Sequence, residues 1–167
     1  SSHAGASEIL TRCGRGMVFG DTGSTAKWLT DSRIEVHGPG YSKVVLGPDA
    51  SANFEKHIDT IVASIAENSG RSCVNASGVW VTSHAKEISK AIAERLAQIV
   101  PRLEDDPQAQ LAPFANTRAA EYFSGAVDSG LAEGGAEDVT ATVRPGKRLV
   151  VFEGSTYLLP TVVRCDS

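Results

Sequence analysis

The stretch SANFEKHIDTIVASIAEN, residues 51–68, decides the fold. Phe54, Ile58, Ile61, Val62 and Ile65 recur at helical spacing, which puts one apolar stripe on one face of a helix. Gly70 ends it. On either side the period shortens. Ser42-Lys43-Val44-Val45-Leu46 reads as an extended run before the helix, and Gly78-Val79-Trp80-Val81-Thr82 as a buried strand after it.

Working outward, Gly16-Met17-Val18-Phe19 reads as a strand running into a turn, Gly20 to Thr25, and a short helical stretch, Ala26 to Leu29. A second strand, Arg33 to Val36, is broken by His37-Gly38-Pro39-Gly40. Towards the C-terminus, Ser83 fits the N-cap of a second amphipathic helix carrying Ile88, Ile92, Leu96 and Ile99, stopped by Pro101. After a polar stretch, Arg102 to Gln110, a third helix spans Thr117 to Glu133, with Tyr122, Phe123, Val127 and Leu131 on it and Gly134 at its C-terminal cap. The tail alternates over Val139 to Val143, Leu149 to Phe152 and Tyr157 to Val163, as strands of a sheet edge or hairpin do. Strand and helix alternate through the first hundred residues. The expected class is therefore α/β, a layered, mostly parallel sheet with flanking helices. Residues 1–47 are short and glycine-punctuated and residues 48–167 carry the long helices, so a domain boundary is placed between them.

Composition narrows the function. The chain has 167 residues, 41% hydrophobic and 22% charged, with a formal net charge of −4. That is ordinary globular composition with no basic footprint, so no dedicated nucleic-acid binding is expected. Nothing approaches the apolar length of a membrane span. Three cysteines, Cys13, Cys73 and Cys165, are an odd number without metal-type spacing, which fits a reducing compartment. No secretory h-region opens the sequence, so a cytoplasmic location is expected.

The chemistry concentrates in NSGRSCVNAS, residues 68–77. Cys73 sits there in a loop of small residues, after a helix and before a strand. A nucleophilic cysteine needs such a place, exposed and held by backbone. A small core residue at the start of a strand has the same local sequence, so spacing alone leaves both readings open.

Gly70-Arg71-Ser72-Cys73 resembles the Gly-Gln-x-Cys nucleophile loop of the aldehyde dehydrogenase superfamily. Phe19 through Gly23-Ser24-Thr25 is similar to its Phe-Thr-Gly-Ser-Thr turn. Ile34-Glu35-Val36-His37-Gly38, then Val44-Val45-Leu46 and Asp49-Ala50, is similar to its Glu-Leu-Gly-Gly-Lys segment and the run that follows. Gly134-Gly135-Ala136 and Leu159-Pro160-Thr161-Val162 resemble later landmarks, so the likeness spans nearly the whole chain in the family's order. It implies that Cys73 is the nucleophile, with its backbone N–H in the oxyanion hole. It implies that Glu35 is the general base acting on water, and that Gly23, Ser24 and Thr25 meet the pyrophosphate of NAD or NADP. The substrate implied is a small-molecule aldehyde, oxidised to an acid through a cysteine thioester.

The family's upstream coenzyme-binding segments and its downstream Glu-x-Phe-Gly-Pro segment have no counterpart here. The chain is therefore expected to be a fragment: the end of a coenzyme-binding domain over 1–47 and part of a catalytic domain over 48–167. Binding of NAD or NADP by the isolated chain is expected to be weak or absent. A sheet without its neighbours exposes apolar edges, so a homo-oligomer is expected, or else a rearrangement of the tail strands to cover the edge. Gly38-Pro39-Gly40-Tyr41-Ser42 is also similar to a region of long-chain acyl-CoA reductases, which implies the alternative of thioester chemistry run towards the aldehyde. A folded fragment or assembly module without catalysis is the other alternative. Asn75, His37 and Arg71 are candidate polar neighbours of the sulfur. His57 and His84 read as exposed on helices, and Cys13 and Cys165 as incidental.

Overall fold

The structure, a computed structural model, describes residues 3–165. The chain divides into two compact units, one ending at Tyr41 and the other beginning at Ser42.

In the first unit, α1 (His3–Arg12) precedes β1 (Gly16–Phe19), a short helix α2 (Thr22–Thr25), a single 3₁₀ turn (Ala26–Trp28) and β2 (Ile34–His37). β1 and β2 pair in parallel, with Gly16 opposite Ile34 and Phe19 opposite His37. Gly16 packs closely: a Cβ there would lie 2.7 Å from Leu10 Cδ2, so the Leu10 side chain would have to shift. Arg33 closes the unit at its other end. It pairs with Asp31 and donates to the Cys13 carbonyl, and its guanidinium, as the main cause, holds the Asp31 carboxyl below the ordinary range.

In the second unit, β3 (Lys43–Leu46) and β4 (Gly78–Val81) pair in parallel. Their pairing puts the 42–46 run with the second unit. The segment joining them is not the single helix that the apolar period predicts. It comprises α3 (Pro48–Ala52), a 3₁₀ turn (Phe54–Lys56), α4 (Ile58–Ala66) and a last turn (Glu67–Gly70). The break is at Asn53, whose side chain bonds back to the Asp49 carbonyl while its backbone leaves the helical region. The apolar stripe survives the break, because Ile58 and Ile61 are both buried.

α5 (Ala85–Leu96) follows, then α6 (Thr117–Ala132), β5 (Ala136–Asp138), α7 (Thr140–Val143), β6 (Leu149–Phe152), β7 (Ser155–Leu158) and β8 (Val163–Cys165). Leu46, Ile58, Ile61, Ile88, Ile92 and Leu96 form the core, so the first two predicted helical faces and one strand meet there. Ser51, fully buried, ties the strand ends: its hydroxyl donates to Leu46 O and accepts from Thr82 N–H.

The α/β class and the parallel pairing stand, in two-stranded sheets, with antiparallel pairs β5–β8 and β6–β7 in the tail. Four local expectations are corrected. β4 is not buried on both faces, because Trp80 and its cross-strand partner Val45 both point outward while Val79 and Val81 pack inward. The second helix starts at Ala85 without a side-chain cap, His84 holding the left-handed turn in place of Ser83 as cap. Residues 140–143 are helical rather than extended, the Asp138 carboxylate accepting from Ala141 N–H at the start of the turn. The last run splits into β7 and β8. Glu153 and Gly154, both at positive φ, make the two-residue turn that joins β6 to β7.

Candidate active site

Cys73 lies on a tight turn, Ser72 to Asn75, between the end of α4 and β4. The turn is closed twice. Asn75 N–H donates to Ser72 O at 3.0 Å, and Ser72 N–H donates to the Asn75 side-chain oxygen at 2.7 Å. The Asn75 amide group then donates to Ser64 O and Glu67 O, both at 3.0 Å, and Ala76 N–H also reaches Ser64 O. The turn is thereby anchored to the C-terminal end of α4. Ser42, just before β3, adds a tether, its hydroxyl donating to Cys73 O at 3.2 Å. Cys73 itself is exposed, and its N–H has no acceptor among the described residues.

The approach to the turn is left-handed over Asn68, Ser69 and Gly70, with φ values of 52°, 60° and 67°. Asparagine and glycine tolerate that region, and serine needs support there. Ser69 has it. Its hydroxyl donates to Gln110 O and accepts from Ala112 N–H. Arg71 donates to Ala112 O and Pro113 O, both at 2.8 Å, and lies over the Phe114 ring. Its guanidinium is committed to the 112–114 segment, which sets it as a brace of the loop.

Glu35 belongs to the first unit. It lies on β2 with a mostly exposed carboxylate, 2.9 Å from His37 Nε2. The His37 ring stacks on Phe19, 4.6 Å between centroids. Of the other histidines, His57 is half-buried at the start of α4, and His84 is exposed and tilts against Phe54.

Gly23, Ser24 and Thr25 form most of α2, in the first unit. Asp21 caps that helix: Ser24 N–H donates to its carboxylate at 2.7 Å, and the Ser24 and Thr25 hydroxyls donate to its carbonyl. Thr25 is buried. The Ser24 N–H and the Ser24 and Thr25 hydroxyls are thus engaged on Asp21, whose carboxylate faces the helix end. The signal was legible, because aspartate three residues before Ser24 is N-cap spacing. The Ser42 tether has no such local signal, since it spans thirty-one residues.

An α/β protein that presents a cysteine on a doubly closed turn after a helix is the class defined so far. The aldehyde dehydrogenase family profile matches residues 26–165. The chain belongs to the aldehyde dehydrogenase family. Among curated proteins it is 24% identical over 133 residues to the methylmalonate-semialdehyde/malonate-semialdehyde dehydrogenases [acylating], mitochondrial, of Rattus norvegicus and Mus musculus. That covers 78% of this chain, which spans only 24% of the length of those relatives. An aldehyde dehydrogenase from Brucella melitensis biovar abortus 2308 superposes with a TM-score of 0.74 at 18% identity, over 98% of this chain and 33% of that one. Aldehyde dehydrogenase C from Pseudomonas syringae, in complex with NAD+ and octanal, superposes at 0.68 and 24% identity, over 89% of this chain and 30% of that one. These likenesses establish the fold. No helix among the described residues is long and apolar enough to cross a membrane.

Proposed function

We propose that the chain is a segment of an NAD(P)-dependent aldehyde dehydrogenase that oxidises an aldehyde to an acid through a thioester on Cys73. The observation that carries this reading is the exposed Cys73 on its doubly closed turn, in a chain that belongs to the family. The Cys73 thiolate forms the carbon–sulfur bond to the aldehyde carbon while the carbonyl π pair moves to oxygen. The Cys73 N–H is available to that oxygen, and a donor fixed in advance lowers the barrier without reorganising. The oxidation requires a hydride acceptor, NAD or NADP, which is a property of the whole protein. Glu35 is the base in this reading. It takes the proton of the water that attacks the thioester, and the carbon–sulfur bond breaks to restore the thiolate.

In this reading residues 1–47 close a coenzyme-binding domain and residues 48–167 open the catalytic one. The engaged turn at Asp21 supports weak or absent coenzyme binding by the isolated chain, which is then inactive by itself.

The test is iodoacetamide alkylation of each cysteine, followed by mass spectrometry from about pH 5 to pH 9. Cys13, Cys73 and Cys165 are all exposed, so access alone does not separate them. Cys73 is expected to react first, well ahead of Cys13 and Cys165 at neutral pH. Three indistinguishable cysteines would overturn the reading.

Self-association belongs to the same proposal. Val45 and Trp80, neighbours across the β3–β4 pair, are 73% and 64% exposed, and a flat apolar strand face favours pairing with a second copy. Light scattering is expected to give a dimer or larger, and Val45→Lys with Trp80→Lys a monomer. A monodisperse monomer in the unsubstituted chain would contradict it.

A further inference from the structure

We infer that Asn75 is a positioning residue for Cys73, an inference that rests on the reading of Cys73 as nucleophile. Asn75 is 9% exposed, yet it is two residues from an exposed cysteine. A buried side-chain amide has one acceptor and two donors to satisfy, and here both ends are used on backbone. The oxygen takes Ser72 N–H, and the nitrogen reaches Ser64 O and Glu67 O. One side chain therefore fixes both the turn that carries Cys73 and the attachment of that turn to α4.

The geometry has a consequence for the sulfur. A turn closed only by its main-chain bond, Asn75 N–H to Ser72 O, frays readily at a surface. With the amide of Asn75 in place, the backbone around Cys73 is held in one arrangement, and a thiolate keeps whatever N–H groups that arrangement offers it. Alanine at position 75 removes three side-chain hydrogen bonds: it leaves Ser64 O with the Ala76 N–H alone and takes the Asn75 donor from Glu67 O in the turn after α4. The Cys73 backbone then samples several conformations, and the sulfur is no longer presented in one place.

The experiment uses the whole 167-residue chain and the same alkylation assay, with Cys13 and Cys165 as internal references. The unsubstituted chain is read first. If its Cys73 is no faster than the references, the nucleophile reading fails, whatever Asn75 does. If Cys73 is fast, Asn75→Ala is expected to slow its alkylation about tenfold at neutral pH while Cys13 and Cys165 keep their rates. A lowered melting temperature with the ratio of the Cys73 rate to the references unchanged would show a structural role alone and overturn the inference. Should Asn75→Ala fail to fold, Asn75→Asp keeps the acceptor for Ser72 N–H at equal size and loses both donors. Its Cys73 rate relative to Cys13 and Cys165 is read at neutral pH and about 1 M salt, where the added charge is screened. A ratio that falls towards one supports the positioning role, and one equal to that of the unsubstituted chain overturns it.

Discussion

Leu96→Ala is expected to destabilise the second unit by about 2–5 kcal/mol, the range for emptying a fully buried leucine site. Leu96 is 1% exposed at the end of α5 and closes a cluster with Ile88 and Ile92 on the same helix face. Opposite them are Ile58 and Ile61 of α4 and Leu46 of β3. A helix end usually yields most easily to a cavity, but here the chain turns at once. Ala97 N–H still bonds to Ala93 O and Ile99 N–H to Leu96 O, so the backbone around the deleted side chain is held and cannot collapse into the space. A small domain has about 5–15 kcal/mol in all, so this one change takes a large share. Urea denaturation followed by far-ultraviolet circular dichroism measures it. A midpoint unchanged from the parent chain would show that this cluster is not the centre of the unit. Ile99→Ala, outside the buried set, is expected to cost less.

That cluster was largely legible in the sequence. Ile58, Ile61, Ile88, Ile92 and Leu96 were all placed on apolar helical faces by their period, because a 3.6-residue repeat survives interruptions in the helix that carries it. The interruptions themselves were not legible. Asn53 ends α3 through a bond to Asp49 O, a local competition that periodicity does not register. Trp80 defeated the reading in another way. Gly78 to Thr82 is apolar almost throughout, which suggests burial on both faces, yet in a two-stranded pair one face has no neighbour among the described residues.

The candidate site divides along the same line. The position of Cys73 after a helix and before a strand could be read directly. The tether from Ser42 and the anchoring carbonyls of Ser64 and Glu67 could not, because they are backbone groups or distant residues with no characteristic spelling. Arg71 illustrates the limit of charge arguments from sequence. Two residues before a cysteine, it reads as a group that would favour the thiolate, but in space it is drawn to three consecutive residues, Ala112, Pro113 and Phe114, and its charge is spent there on carbonyls and a ring.

Arg148→Met is expected to release α6 from the second unit. That helix is sixteen residues long but contributes only Ala120 to the buried set, while Tyr122 and Phe123 are exposed. Hydrophobic packing therefore holds it weakly, and polar contacts must do more. Thr117 meets Thr156 at its start. Farther along, Arg148 is the staple: Nη1 donates to Ser124 O and to Asp128, and Nη2 donates to Asp138 at the end of β5. Its side chain is 12% exposed and that of Asp138 is 17% exposed, so solvent screens this pair less than a surface one. Burial pushes the Arg148 guanidinium down, and the hydrogen bonds to Asp128 and Asp138 outweigh it and hold the group above its ordinary value. Methionine fills similar volume without a charge. It leaves the Asp138 carboxylate with only the Ala141 N–H and the nearby charge of Arg144, whose own guanidinium burial holds below its ordinary value. Removing one partner of a well-buried pair costs about 3–5 kcal/mol, and the residual exposure here places the effect near the lower end. Lysine should recover only part of it, because a single ammonium cannot span three acceptors on two elements. Amide hydrogen exchange distinguishes the two consequences. Protection is expected to fall along α6 well before it falls in α4 and α5, which keep their isoleucine core. If α6 amides exchange in Arg148→Met as slowly as in the parent chain, the helix is held by its apolar contacts after all, and the guanidinium only decorates a surface that packing has already settled.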